Sequence, residues 1–258
     1  MTTPKDPAGT IGNLIGLCAA GEAAFQRAAH QGLGRPWVQS HEVAWAPESA
    51  GHPFLFAAVT LVPRPKLPDV LRGRVCDSFA ALAVADLPGP GWRSEDADPW
   101  MVRPPLAVPT APELPGLRIT QVETDAETEI FERTAFLAAG GQPPARTGEL
   151  HPAGSQRTNG LDLFVAQVDG RPIGTALAMD YENGVLISAV SVMPDARGRG
   201  VGAALTITAL QGAAGRPATL FATAAGLGLY RRLGFVEIGR HRDWYPPRPE
   251  PGGGGTTV

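Results

Sequence analysis

Residues 190–205 have the sequence Val-Ser-Val-Met-Pro-Asp-Ala-Arg-Gly-Arg-Gly-Val-Gly-Ala-Ala-Leu. The start of this stretch continues an apolar run from Val185, which predicts a buried strand. The glycines predict a turn, and the residues from about Val201 predict a helix. A strand, a glycine-rich turn and a helix N-terminus commonly bind anions, because free backbone N–H groups and the helix dipole converge there. The stretch therefore predicts a site for a phosphate-bearing ligand.

Three classes of ligand fit such a turn to different degrees. A P-loop requires Gly-Lys-Ser/Thr, and here Gly202 is followed by two alanines, which disfavours ATP and GTP. The spacing of Gly198, Gly200 and Ala203 satisfies the dinucleotide pattern GxGxxG/A. However, no acidic residue near position 220 is available to hold a ribose, which argues against NAD. The third class is a coenzyme A thioester.

Residues 190–205 resemble the acetyl-CoA signature of the GNAT superfamily of N-acetyltransferases. The core of that signature, Arg/Gln-x-x-Gly-x-Gly/Ala, is met by Arg197, Gly200 and Gly202. The second half of the family pattern follows at the expected distance, as Gly-Leu-Tyr-Arg-Arg-Leu-Gly-Phe over residues 228–235. The resemblance covers roughly residues 116–242. It implies a GNAT fold of the α/β (α+β) class, with a mixed, mostly antiparallel sheet flanked by helices.

The resemblance also implies roles for individual residues. In this family the strand before the glycines splays from its neighbour and pairs with pantetheine, and the amides of the turn hold the pyrophosphate. A tyrosine of the second motif, here Tyr230, protonates the leaving thiolate; its ordinary pKa of about 10 keeps it protonated at neutral pH. No metal is expected. The expected cofactor-binding residues are Val190, Ser191, Val192, Arg197, Gly198, Arg199, Gly200, Val201, Gly202 and Ala203.

Two positions depart from the family pattern. Many relatives have an asparagine after the strand that precedes the second motif, where this chain has Thr-Ala-Ala from Thr223. No carboxylate or histidine lies between Val185 and Met193, where a general base often sits. Asp180 and Glu182, near the preceding turn, are expected to be surface charges. No residue is therefore assigned as the general base.

The proline-rich segment Val102–Gly116, with five prolines, predicts an extended connector between two folded units. Residues 1–106 are predicted to form a smaller, degenerate GNAT-like domain without the glycine signature. Residues 107–245 are predicted to form the GNAT acetyltransferase domain. Residues 246–258 combine Pro-Pro-Arg-Pro-Glu-Pro with four consecutive glycines, which is typical of a flexible tail.

Local signals in the second unit predict where its elements begin and end. The stretch Thr124–Glu127 is a capping box that opens a helix. Gly234 predicts the C-terminal cap of the helix that carries the second motif, with Phe235 folding back on it. Residues 140–160 are rich in Gly, Pro, Arg and Ser and predict a loop, in which His151 is expected to be exposed.

The composition excludes several classes of protein. The chain has 258 residues, 22 of them basic and 25 acidic, and a formal net charge of −3, which excludes a polybasic nucleic-acid-binding protein. No apolar run approaches the ~18–20 residues of a membrane span. Cys18 and Cys76 fit no metal spacing and are expected to be buried. A cytoplasmic protein without nucleic-acid or membrane partners is predicted, either a monomer or a homodimer.

Two functions from different classes fit these observations. The first is an acetyl-CoA-dependent N-acetyltransferase that moves an acetyl group by direct attack to a primary amine, on a small molecule or a protein N-terminus. Its partners are acetyl-CoA and the amine acceptor. The alternative is a non-catalytic acyl-CoA-binding sensor or structural protein, which the missing asparagine and the absent base would favour.

Overall fold

The computed structural model describes residues 7–47, 52, 54–213 and 215–247, so residues 248–258 of the predicted tail lie outside the described residues. The helices and strands are α1 (Pro7–Gly32), β1 (Val38–Gln39), β2 (Val43–Trp45), β3 (Ala58–Thr60), β4 (Val75–Asp77), β5 (Arg93–Arg103), β6 (Leu117–Gln121), α2 (Asp125–Gly140), β7 (Leu161–Val168), β8 (Arg171–Tyr181), β9 (Gly184–Val192), α3 (Val201–Leu210), β10 (Ala218–Phe221), α4 (Leu227–Arg232) and β11 (Val236–Tyr245).

These strands form one mixed sheet in the order β1-β2-β3-β4-β11-β5-β10-β9-β8-β7-β6. The pairs β3–β4 and β9–β10 are parallel, and the other neighbouring pairs of described strands are antiparallel. Helices cover both faces. The predicted fold class, a mostly antiparallel sheet flanked by helices, is confirmed.

Alternation along β7 separates the two faces of the sheet. Leu163 and Val165 pack in one cluster with α1 and with Phe131 of α2. Phe164 and Ala166 point the other way and pack with α3, as the two-residue period of a strand requires. The core therefore has two layers, one on each side of the sheet.

The start of α2 follows from its sequence. The Thr124 hydroxyl accepts a hydrogen bond from the Glu127 backbone N–H at 3.2 Å, and the Glu127 carboxylate accepts one from the Thr124 N–H at 3.0 Å. This reciprocal pair is the predicted capping box, which satisfies two N–H groups that a helix start leaves open. Past the end of this helix, residues 140–160 are mostly irregular, with a short 3₁₀ turn at Ser155–Arg157.

Strand β5 is an element that the sequence pattern does not predict. Its sequence, Arg-Ser-Glu-Asp-Ala-Asp-Pro-Trp-Met-Val-Arg, contains a proline and five charged residues and shows no apolar alternation until its end. It nevertheless lies between β10 and β11 and pairs with both, Met101 with Leu220 and Val102 with Val236. Residues 1–106 and 107–245 therefore contribute strands to a single sheet.

Helix α1 spans the junction between these two parts of the chain. Cys18 and Ala23 pack in a cluster with Trp100, and Phe25 packs in the cluster of β7 and β8. Both cysteines are buried and free, as predicted. None of the helices in the described parts of the chain combines the length and apolar character needed to cross a bilayer.

A fragment of residues 107–258 tests how far the C-terminal part depends on β5. This fragment leaves a gap between β10 and β11, and it lacks Met101 and Trp100, which are fully buried in two core clusters. We expect the fragment to show no cooperative thermal transition by circular dichroism, whereas the full chain unfolds cooperatively. A cooperative transition of the fragment near the Tm of the full chain would show that β5 is dispensable.

Candidate active site

The central feature of the sheet is the parting of β9 and β10. The two strands pair at Val185 with Ala218 and at Leu186 with Thr219. Beyond these two pairs β9 continues to Val192 without β10 beside it. The edge of β9 that faces β10 therefore leaves backbone groups available to a ligand.

A β-bulge lies in β9 just after the strands part. The register with β8 shifts between Thr175 and Leu177, and Ala189 has a positive φ of 49°. The Thr175 hydroxyl holds this conformation by donating a hydrogen bond of 2.9 Å to the Ala189 carbonyl. A bulge bends the strand that contains it, so it redirects the last residues of β9.

A cleft of about 610 Å³ opens at the split. Residues 188–191 of β9 line one side, and Phe221, Thr223 and Tyr230 line the other. Helix α1 contributes Glu22 to the lining, at the side of the sheet that it covers. A cleft of this size, mostly apolar with a few polar groups, is typical of a small-molecule site.

The glycine-rich turn lies between β9 and α3. Gly198 and Gly200 adopt left-handed conformations with φ of 73° and 86°, which favour glycine because an added Cβ is strained there. Gly200 is also the N-cap of α3, and no side chain caps that helix. The first N–H groups of α3 therefore have no acceptor within the helix. This arrangement fits a pyrophosphate group.

The predicted cofactor-binding residues lie on the unpaired part of β9, on the glycine turn and in the first turn of α3. Val190, Ser191 and Val192 are half-buried on the unpaired part of β9; Gly198, Arg199 and Gly200 are exposed on the turn; Val201 is buried, and Gly202 and Ala203 are half-buried, in the first turn of α3. That these residues bind a cofactor stays a prediction.

Arg197 has contacts within the protein as well as a predicted role toward phosphate. Its guanidinium donates hydrogen bonds to the carbonyls of Val192 at 3.0 Å and Ala138 at 2.8 Å. It therefore ties the end of β9 to α2. This explains an arginine at the position even without a ligand, and the predicted role toward phosphate stays a prediction.

Tyr230 is held at the cleft by the predicted C-terminal cap of α4. The Phe235 N–H donates to the Tyr230 carbonyl at 3.0 Å, and the Gly234 N–H donates to the Arg231 carbonyl at 3.1 Å, the two bonds of a Schellman motif. The Phe235 ring packs on the Tyr230 ring at 5.8 Å. Burial raises the pKa of Tyr230 to about 12. Its hydroxyl finds no hydrogen-bond partner among the described residues.

The cleft contains ionisable groups that the sequence motifs do not indicate. Glu22, Asp98, His241 and Asp243 all line it, and all lie outside the motif-bearing segment or at its far end. One signal was available for Glu22, a lone charge within the small apolar run Cys-Ala-Ala-Gly-Glu-Ala-Ala-Phe of residues 18–25. The other three carry no local signal, because long-range strand pairing brings them to the cleft.

The predicted surface carboxylates lie away from the cleft. Asp180 accepts a hydrogen bond of 2.6 Å from Arg216, and Glu182 is exposed. Within the part of the chain that the structure describes, no cluster of three His, Cys, Asp or Glu side chains could hold a metal ion.

The expectation for His151 is wrong, because this side chain is only 4% exposed. The cause is the buried carboxylate of Glu132, which accepts hydrogen bonds from the N–H groups of Gly148, Leu150 and His151 at 2.7–2.9 Å. These bonds draw the loop onto α2, where the His151 ring meets Phe131 edge-on at 5.1 Å. Burial lowers the pKa of His151 from 6.5 to about 4.

Comparison with known proteins agrees with this geometry. A family model described as "Acetyltransferase (GNAT) domain" matches residues 159–237. The fold is similar to a GCN5-related N-acetyltransferase from Kribbella flavida, at 20% identity and TM-score 0.57 over 88% of this chain and 96% of that one. It is also similar to a GNAT-family protein from Novosphingobium aromaticivorans, at 23% identity and TM-score 0.56 over 88% and 99% of the two chains. No curated protein sequence matches.

The sheet order, the glycine turn and the likeness to these structures give the chain a GNAT fold. The GNAT-domain model matches residues 159–237, and that span includes both motifs identified in the sequence.

The depressed pKa of His151 predicts a loss of stability in mild acid. The unfolded chain binds a proton at His151 near pH 6.5, and the folded chain binds it only near pH 4. The contribution of His151 to the free energy of unfolding is therefore fully present above pH 6.5 and is lost as the pH falls toward 4. Its scale is on the order of 3 kcal/mol. We expect Tm to fall over this range, and His151→Phe to flatten the fall.

The flattening should be partial, because burial also lowers the pKa of His30 and His52. His41→Gln is the control, since the His41 side chain is 88% exposed. Identical Tm-against-pH curves for His151→Phe and the wild type would contradict this assignment.

Proposed function

We propose that this protein is an acetyl-CoA-dependent N-acetyltransferase that acetylates a primary amine by direct attack. One observation carries the proposal: β9 parts from β10 beside a cleft that Tyr230 lines, and the Tyr230 hydroxyl has no hydrogen-bond partner among the described residues. A thioester laid along the unpaired edge of β9 would bring its sulfur towards that hydroxyl.

The residues present fit acetyl-CoA as the donor substrate. The backbone of Val190, Ser191 and Val192 would pair with the amides of pantetheine. The N–H groups from Gly198 to Ala203 would hold the pyrophosphate, where the helix dipole of α3 favours negative charge. Arg199 is exposed beside the turn and would add a positive charge.

The reaction requires a neutral amine and a proton for the leaving group. The amine nitrogen attacks the thioester carbonyl, the C–S bond breaks, and the CoA thiolate takes a proton from the Tyr230 hydroxyl. The amide nitrogen then releases its extra proton, and the tyrosine is protonated again. A pKa of about 12 keeps Tyr230 protonated at neutral pH, which a general acid requires.

The second candidate function is a non-catalytic acyl-CoA-binding sensor or structural protein. Such a protein would bind the acyl-CoA without catalysing a reaction. The absence of the family asparagine, where this chain has Thr223, favours this alternative. Release of free CoA thiol with an amine acceptor separates the two functions.

We propose in addition how the chain is divided, where it acts and in what oligomeric state. Residues 1–106 would be a degenerate GNAT-like part and residues 107–245 the catalytic part, joined through the shared sheet. The protein would act in the cytoplasm as a monomer or homodimer, with acetyl-CoA and an amine as its partners.

Replacing Gly200 tests the pyrophosphate site. Leucine at this position would add both backbone strain and a side chain beside the N–H groups of the turn, so we expect Gly200→Leu to weaken acetyl-CoA binding at least tenfold by calorimetry, about 1.4 kcal/mol. The wild type should bind one acetyl-CoA per chain.

Gly215→Leu is a matched control, because Gly215 has a similar φ of 76° and open space around it. It should carry the same strain and bind acetyl-CoA normally. Equal affinities for the two variants, or two sites per wild-type chain, would contradict the proposed site.

Changing Tyr230 to Phe tests the general acid. This change keeps the ring that packs on Phe235, so acetyl-CoA affinity and Tm should change little. Loss of the proton donor should lower kcat by a factor on the order of 10²–10⁴. Tyr181→Phe removes a hydroxyl that bonds the Leu17 carbonyl outside the cleft, and it should keep kcat. Unchanged kcat in Tyr230→Phe would remove the catalytic role.

A further inference from the structure

Glu22 is a buried carboxylate next to the point where the strands part. It is 1% exposed and lines the cleft. The preceding Gly21 lets α1 approach closely, since a Cβ there would lie 2.9 Å from the Tyr181 ring and 3.1 Å from the Thr219 hydroxyl. Thr219 forms the last β9–β10 pair with Leu186. Glu22 therefore stands beside the opening of the split.

A buried hydrogen-bond chain fixes the orientation of this carboxylate. The Phe56 backbone N–H donates to Gln26 Oε1 at 3.0 Å, and Gln26 Nε2 donates to Glu22 Oε1 at 2.8 Å. Because a backbone N–H can only donate, the Gln26 amide cannot be reversed. Glu22 Oε2 is buried without a hydrogen-bond partner. One carboxylate oxygen is held and the other is left for a ligand.

The surroundings leave this negative charge open to a cationic ligand. Asp243 is already engaged, with Oδ2 3.7 Å from Arg74 Nε and Oδ1 3.4 Å from His241 Nε2. His241 Nδ1 is also buried without a partner and lines the same cleft. A buried carboxylate oxygen without a donor is destabilising, so these orphaned atoms indicate a ligand that can hydrogen-bond to them.

Apart from Asp98, His151, Arg240 and four hydroxyl side chains, the rest of the cleft wall is apolar. Leu177 and Ile187 of the sheet line it together with five phenylalanine side chains: Phe25, Phe54, Phe56, Phe136 and Phe221. These side chains favour an apolar or aromatic body, because a strongly polar one packed against them would lose hydration without partners.

We propose that Glu22 binds the ammonium group of the acceptor and takes its proton, and that the acceptor is a primary amine carried on an apolar, aromatic-sized body. This inference rests on the proposed N-acetyltransferase function and adds to it the proton acceptor and the acceptor class.

The proton transfers balance with Glu22 as the base. The R–NH₃⁺ group transfers one proton to the Glu22 carboxylate and becomes the neutral nucleophile. Attack, C–S cleavage and protonation of the thiolate then follow as above, and Glu22 releases its proton to solvent. Burial raises the pKa of Glu22, which makes its carboxylate a stronger proton acceptor than an exposed one.

The charged and titratable groups around Glu22 come from several elements. Arg74, which precedes β4, and His241 and Asp243 of β11 act on its charge. Glu22 in turn helps to raise the pKa of the Cys76 thiol of β4, which burial raises most. Arg74 and His241 favour the carboxylate, and Asp243 opposes it. A fall of kcat/KM toward low pH, the acid limb of the pH profile, is assigned to Glu22 only if it disappears when Glu22 alone is changed.

The test compares Glu22→Gln with the wild type in the full chain. Glutamine keeps the shape and the contact with Gln26, and it removes the charge and the proton acceptor. Arg27→Gln is the control, because Arg27 is exposed on the same helix. The readouts are acetyl-CoA affinity by calorimetry, CoA thiol release with 2-phenylethylamine or spermidine across pH, and Tm.

We expect the wild type to prefer 2-phenylethylamine to spermidine in kcat/KM. In Glu22→Gln, kcat/KM for 2-phenylethylamine should fall at least 100-fold and lose its acid limb, while acetyl-CoA affinity is unchanged and Tm is not lowered. Arg27→Gln should behave as the wild type. A purely structural Glu22 would instead show a lowered Tm with the wild-type pH profile.

Two outcomes overturn the inference and leave the proposed function standing: wild-type kcat/KM and pH profile in Glu22→Gln, or a preference for spermidine. If the wild type does not bind acetyl-CoA, the proposed function fails and this inference fails with it.

Discussion

The site depends on a short parallel ladder of two residue pairs between β9 and β10. If this ladder continued, hydrogen bonds between the strands would close the cleft and occupy the edge of β9. It ends at Leu186 and Thr219, where β10 runs on for only two residues and the bulge at Ala189 bends β9. The parting thus follows from backbone geometry, and it converts ladder groups into potential ligand contacts.

The strand β5 keeps the other side of the split in place. It pairs along β10, and its last residue, Arg103, is 3% exposed. The Arg103 guanidinium donates to the carbonyls of Leu233, Leu106 and Ala107 at 2.6–3.0 Å. One buried side chain therefore joins β5, the end of α4 and the proline-rich connector. The position of Tyr230 depends on a strand from the N-terminal part of the chain.

Local patterns predicted much of the fold and one side of the cleft. The capping box of α2, the glycine turn and the cap after Tyr230 each depend on neighbouring residues, so their signals survive in the sequence alone. The placement of β5 depends on pairing with distant strands, and nothing in Arg93–Arg103 indicates it. His151 was mispredicted for a similar reason, since Glu132 buries it from outside its own loop.

The acceptor side of the cleft could not be predicted for the same physical reason. Glu22 and Gln26 lie on α1, far along the chain from His241 of β11, and the tertiary fold brings Glu22 and His241 to one cleft. A charged residue inside a run of alanines indicated that some group would interact with the Glu22 carboxylate. It did not indicate which group. The motif-bearing segment thus predicts donor binding, and the tertiary fold brings together the groups that we propose bind the acceptor.

We propose that the donor thioester lies in the split between the Tyr230 hydroxyl and Glu22. The most direct measurement is a crystal structure of the full chain with CoA. We expect pantetheine along the unpaired edge of β9, pyrophosphate at the N-terminus of α3, and sulfur within about 3.5 Å of the Tyr230 hydroxyl. CoA bound elsewhere, or its sulfur pointing away from both Tyr230 and the Glu22 side of the cleft, would contradict this proposal.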